Sequence, residues 1–196
     1  MNILRCKAAI IGDPRVGKTC LINQLIKNYF NNTYQTTLGI DYNVYDAKIK
    51  DCTVQFHIMD FTGFSVFRDL IYSQIKDVNF IIYVYDVTNQ ESFASVKLWK
   101  DSFKDYLKGK NVVEILVANK IDLEKKIAVD ENTGRQFATS NNIKFHKTSA
   151  VIIYYIFYDI FTFHFILFYF IFIIIELFNK FTFSFFLKTL LSYLMI

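Results

Sequence analysis

Up to Ala150 the chain alternates short, wholly apolar runs with segments whose apolar residues recur every three or four positions; beyond it that alternation stops. Arg5–Ile11 (RCKAAII) reads as a buried strand that ends in a Gly/Asp/Pro turn. In Lys18–Lys27, the positions of Leu21, Ile22, Leu25 and Ile26 have helical spacing. Tyr42–Lys50 and Thr53–Asp60 flank Asp51-Cys52, the pattern of a hairpin. Asn79–Asp86 (NFIIYVYD) is too apolar to leave either face in water, which predicts a central parallel strand. Thr88-Asn89-Gln90-Glu91 fits a capping box and opens a helix to about Lys108. Val112–Ala118 predicts another buried strand, Asp130–Ser140 a helix and Lys144–Thr148 a last short strand. Strands alternating with helices predict an α/β domain over residues 1–150 with a mostly parallel sheet.

Residues 151–196 form a second, apolar segment. Phe, Ile, Leu and Tyr fill 33 of its 46 positions, Gly, Pro, Ala and Arg are absent, and only Asp159, Glu176, Lys180 and Lys188 carry charge. Three readings stand side by side. As a membrane anchor, Ile160–Ile175 offers 16 residues without formal charge, against the roughly 20 needed to span a bilayer. As a buried segment it would need a partner, because residues 151–175 are apolar on every side, one small sheet cannot cover such a helix, and Phe, Ile and Tyr favour strands. As misread non-coding sequence, it has the composition expected of T-rich DNA, which encodes Phe, Ile, Leu and Tyr but not Ala, Gly, Pro or Arg.

Charge and composition remove other classes. Residues 1–150 carry 20 Lys/Arg and 16 Asp/Glu with no basic run, so nucleic acid is not an expected partner. Cys6, Cys20 and Cys52 lack paired or metal-like spacing and read as reduced packing residues. His57, His146 and His164 are scattered, and Trp99 with the other aromatics reads as packing. The N-terminal apolar run is too short for a signal peptide.

Gly12-Asp13-Pro14-Arg15-Val16-Gly17-Lys18-Thr19 matches G-x-x-x-x-G-K-[ST] between a predicted strand and a predicted helix. Glycines let the backbone wrap a phosphate, Lys18 can reach the β- and γ-phosphates, and the Thr19 hydroxyl can ligate Mg²⁺. The helix start adds positive potential. Asn119-Lys120-Ile121-Asp122 follows a predicted strand about 100 residues later. A carboxylate there can accept hydrogen bonds from N1–H and the 2-amino group of guanine, donors that adenine lacks.

With these motifs the chain resembles the Ras superfamily of small GTPases, in its Rab-like branch. The resemblance spans residues 3–150 through GDPRVGKT, YQTTLGID, DFTG, VYDVTNQESF, NKID and TSA. It implies a P-loop small GTPase domain: a six-stranded sheet with helices on both faces, here with an apolar tail in place of the last helix. It implies GTP or GDP with Mg²⁺ as ligands. Thr37 is then the switch threonine that meets Mg²⁺ and the γ-phosphate, with Thr36 as the neighbouring alternative. Asp60 holds Mg²⁺ through water, and the Gly63 amide senses the γ-phosphate. Cys20 lines the phosphate loop, Asn119, Lys120, Asp122 and Leu123 hold guanine, and Thr148, Ser149 and Ala150 close over the base. Effector, exchange and activating proteins are the implied partners, in the cytoplasm, in the cilium or peripheral to membranes. GDPxVGKT with VYDVTNQESF looks most like the Rab-like GTPases of intraflagellar transport, which would add a partner GTPase and a coiled-coil-rich complex.

Two departures qualify that reading. Phe64 stands where the family has the glutamine that orients the attacking water, and a phenyl ring has no donor or acceptor for that task. Very slow intrinsic hydrolysis is expected, and a nucleotide-stabilised scaffold without a hydrolytic cycle is the alternative. Pro14 and Arg15 replace smaller residues at the phosphate edge, where they could obstruct an incoming arginine. The second departure is the tail, which makes a tail-anchored GTPase another alternative. It ends Leu194-Met195-Ile196 without a cysteine, so a prenyl anchor is not expected on this chain.

Overall fold

A computed structural model describes residues 2–49 and 52–151. The readings placed on the tail, as anchor, buried partner-binding segment or misread sequence, fall on residues outside these. Among the described residues six strands form one sheet: β1 (Asn2–Ile11), β2 (Ile40–Ile49), β3 (Cys52–Phe61), β4 (Phe80–Asp86), β5 (Val113–Asn119) and β6 (Lys144–Lys147). The described residues that join them hold four α-helices: α1 (Lys18–Lys27), α2 (Arg68–Gln74), α3 (Gln90–Leu107) and α4 (Glu131–Ser140). The strand order is β2-β3-β1-β4-β5-β6, and only the β2–β3 pair is antiparallel. The expected mostly parallel α/β sheet is therefore present.

β1 begins three residues before the expected run. Its first half alternates, with Ile3, Arg5 and Lys7 exposed and Cys6 buried, and only Ala8–Ile11 are buried on both faces. A search for continuous apolar runs finds the second half and misses the first. Burial pushes the Cys6 thiol up to about 11, and Cys6 and Cys20 are both free, in keeping with the packing role read from their spacing. β4 is buried at every position, as its composition predicts for a central strand.

The order reverses direction at β1. The crossover from β1 leads toward β3, and those from β3, β4 and β5 lead the other way. Right-handed crossovers then set α1 on one face and α2, α3 and α4 on the other. The packing agrees: Ile71, Val96, Trp99, Phe103 and Ala138 join one cluster with Ile11, Phe61, Tyr83 and Leu116. Leu21 and Ile22 of α1 are buried outside that cluster, and α1 contacts β2 and β3.

Helix α2 has no counterpart in the sequence reading. Ile71 is the one buried residue in its seven, too little to register a period. Tyr72 fixes it by stacking on Tyr106 and meeting Phe103 edge-on, both from α3. The start of α3 also differs from expectation. Asn89, not Thr88, is the cap, and its Oδ1 accepts from the amides of Glu91 and Ser92. Thr88 instead turns its amide and hydroxyl toward Asp86 Oδ1, at 2.8 and 2.7 Å.

Candidate functional site

Reversal of the crossovers between β1 and β4 opens a crevice at the carboxyl ends of the strands, the place where open α/β sheets bind ligands. The chain delivers its motif residues there. Gly12 follows β1, Asp60 lies near the end of β3, Asp86 and Asn119 close β4 and β5 side by side, and Thr148 follows β6.

The phosphate loop wraps Lys18, which is buried and donates from Nζ to the carbonyls of Gly12 at 2.8 Å and Asp13 at 3.0 Å. Burial lowers its ammonium to about 8 against the pull of Asp60 and Asp13. Asp60 shows the converse. Burial raises its carboxyl to about 6, although the Thr19 hydrogen bond and Lys18 oppose this. Each is a buried charge that its protein neighbours under-compensate, so a phosphate beside Lys18 and a cation beside Asp60 would each lower the cost.

Three hydroxyl and carboxylate oxygens meet next to this lysine. Thr19 Oγ1 donates to Asp60 Oδ2 at 2.5 Å and lies 3.0 Å from Thr37 Oγ1. Thr37, rather than its neighbour Thr36, is thus brought to the cluster. Asp60 Oδ1 and Thr62 Oγ1 are buried without a hydrogen-bond partner among the described residues. A set of hard oxygens around an unpaired carboxylate oxygen fits Mg²⁺, which takes oxygen ligands and keeps several waters.

Gly63 lies against the same loop. A Cβ there would fall 2.2 Å from the Pro14 nitrogen and 2.3 Å from the Asp13 carbonyl carbon, so only glycine permits this approach. Phe64, next in the chain, is extended and 42% exposed, and carries no polar side-chain atom into the site. Arg15 is exposed and sets its guanidinium 5.2 Å over the ring of Tyr34.

The second motif is tied to the first. Asn119 Nδ2 donates to the Val16 carbonyl at 2.7 Å, while its Oδ1 is buried and unpaired among the described residues. Lys120 takes the left-handed conformation and pairs with Asp86 Oδ2 at 2.5 Å. Asp122 Oδ1 accepts from Ser149 Oγ at 2.5 Å, which joins NKID to TSA. Thr148, Ser149 and Ala150 are buried at this end, Leu123 is exposed, and Cys20 is half-buried after Thr19.

The two motifs are therefore joined through Asn119 and Val16, with Lys18, Thr19, Thr37 and Asp60 on one side and Asp122 with Ser149 on the other. Asp86, Tyr34 and the indole of Trp99, whose N–H donates to Asp13 Oδ1 at 2.9 Å, were not among the residues singled out from the motifs. For Asp86 its place at the end of an apolar strand was a usable signal. For Trp99 none existed, because its partner is 86 positions away.

Comparison with known proteins bears on the same residues. A family model described as the Ras family matches residues 7–162. The chain is also similar to the GTP-binding protein YPT1 of Saccharomyces cerevisiae, at 36% identity over 145 residues, covering 74% of this chain and 70% of that protein. The chain belongs to the Ras family of small GTPases, enzymes that bind GTP and GDP with Mg²⁺ and hydrolyse GTP.

Proposed function

We propose that the chain is a Rab-like guanine-nucleotide switch with slow intrinsic hydrolysis, acting in intracellular or intraciliary transport with effector and regulatory proteins. In this reading Gly12–Cys20 hold the phosphates, with Lys18 on the β- and γ-oxygens. Thr19, Thr37 and Asp60 hold Mg²⁺, and the Gly63 amide meets the γ-phosphate. Asn119, Lys120, Asp122, Leu123 and Thr148–Ala150 hold the base. The observation that carries it is the convergence of Thr19, Thr37 and Asp60 oxygens beside the buried ammonium of Lys18. The transport role, the ciliary setting and its partner GTPase rest on the sequence resemblance alone.

Slow hydrolysis is inferred from Phe64, which brings no group able to orient water. Arg15, spread over Tyr34 at the loop's edge, supports the further reading that an activating arginine meets an obstructed approach. Phe64→Gln is expected to raise single-turnover GTP hydrolysis about a hundredfold, the low end of the range for a positioned proton-transfer group. An unchanged rate would remove Phe64 as the cause. The same variant separates the switch from a nucleotide-stabilised scaffold. If faster hydrolysis releases the effector in a pull-down, the switch holds; if the effector stays bound, the scaffold is favoured.

The guanine assignment has its own test. Asp122→Asn replaces an acceptor by a donor and should lower GTP affinity about ten- to a hundredfold, the size of one bidentate base contact. ATP affinity should not fall with it. Competition by ATP as strong as by GTP in the unaltered protein would end the guanine reading.

A further inference from the structure

We propose that Trp99 is a positioning residue that couples helix α2 to the phosphate loop, so that the loop's hold on nucleotide depends on the indole N–H. This deepens the proposed nucleotide site and rests on that reading. Trp99 sits on α3, 2% exposed, with its ring stacked near Phe103. Its Nε1–H donates to Asp13 Oδ1 at 2.9 Å. Arg68, the first residue of α2, places its guanidinium 5.0 Å over the same ring. One indole thus touches both the phosphate loop and the helix that follows Phe64.

Asp13 is the node where these contacts meet. Its side chain is held by Trp99, its carbonyl accepts from Lys18 at 3.0 Å, and the peptide bond from it to Pro14 is where a Cβ on Gly63 would strike, at 2.2 Å from the nitrogen and 2.3 Å from the carbon. An indole has one donor and no acceptor, and burial of the ring fixes where that donor points. The contact is therefore a directional strut to a carboxylate, stronger than a neutral hydrogen bond. Movement of α2 shifts Arg68 on the ring, and the ring passes that shift to Asp13 and so to Lys18. A residue used for packing alone would need neither the N–H nor the carboxylate.

The test measures release of fluorescent GDP from the full-length chain. Trp99→Phe keeps an aromatic ring and removes the donor; Asp13→Ala removes the acceptor. Each should speed release about tenfold, the value of one hydrogen bond to a charged group. The double variant should release no faster than either single one. Additive effects in the double variant, or wild-type release with a lowered melting temperature in Trp99→Phe, would reduce Trp99 to packing. Because Trp99 is the chain's sole tryptophan, its emission gives a second readout. It should change when GDP is exchanged for a non-hydrolysable GTP analogue, and Arg68→Ala should abolish that change. Emission that is indifferent to the exchange would overturn the coupling. Failure of the unaltered protein to bind guanine nucleotide would instead overturn the site reading itself, and the coupling with it.

Discussion

Lys18→Ala will lower GTP and GDP affinity by about two to four orders of magnitude, as two charge-assisted contacts of about 1.5–3 kcal/mol each are lost. Isothermal titration or displacement of a fluorescent nucleotide would show it. Affinity within a few-fold of the parent would mean that this loop is not the phosphate site. The same substitution should leave the nucleotide-stripped protein no less stable. An ammonium lowered by burial from 10.5 to about 8 opposes folding wherever it must stay charged. Between those two values the unfolded chain binds the proton and the folded one does not, so stability rises with pH across that window. Lys18→Ala should erase that rise in a urea-melting series run from neutral pH to above 10. The lysine is thus kept at a cost to the fold, which is the pattern expected of a residue retained for its ligand.

Gly12→Ala will cost on the order of 4–5 kcal/mol or more, in the exceptional class of single substitutions. Gly12 has φ +152°, and a Cβ there would stand 2.2 Å from the Val84 carbonyl oxygen. That oxygen belongs to a strand buried at every position, so it cannot yield as the end of a flexible side chain could. Domains hold only about 5–15 kcal/mol in total, so little folded variant should accumulate. Urea unfolding of whatever soluble fraction is recovered would measure the loss. A midpoint close to the parent's would show that the loop and β4 do not meet as described.

Whether a feature was legible in the sequence depended on how far apart its parts lie. The phosphate loop and NKID are short strings of consecutive residues, and their chemistry could be read before any fold was known. β4 and β5 were legible because burial on both faces demands an unbroken apolar run. Contacts between elements were not legible. Nothing in VYDVT says that Thr88 will bond to one Asp86 oxygen and leave the cap to Asn89, while Lys120 just past the end of β5 takes the other oxygen. Nor could α2 be read from one buried isoleucine, since its place is fixed by Tyr72 against α3. Trp99 reads as packing and does pack; its hydrogen bond to Asp13 needs two segments far apart in the chain.

The strand order also sets a timetable for synthesis. β1 is made first, yet its neighbours are β3, ending at Phe61, and β4, ending at Asp86. At about 5–20 residues per second on the ribosome, its apolar second half waits roughly 4–15 s for β4. In that interval β2 and β3 are complete and β3 can pair with β1, but the side of Ala8–Ile11 that faces β4 has no strand to pair with. The phosphate loop is later still, because Gly12 rests on Val84 and Val16 is held by Asn119. A nascent chain shorter than about 120 residues therefore has no formed loop for a nucleotide to find. Guanine nucleotide can act as a folding ligand only on a nearly complete domain, where mass action would then favour the folded form.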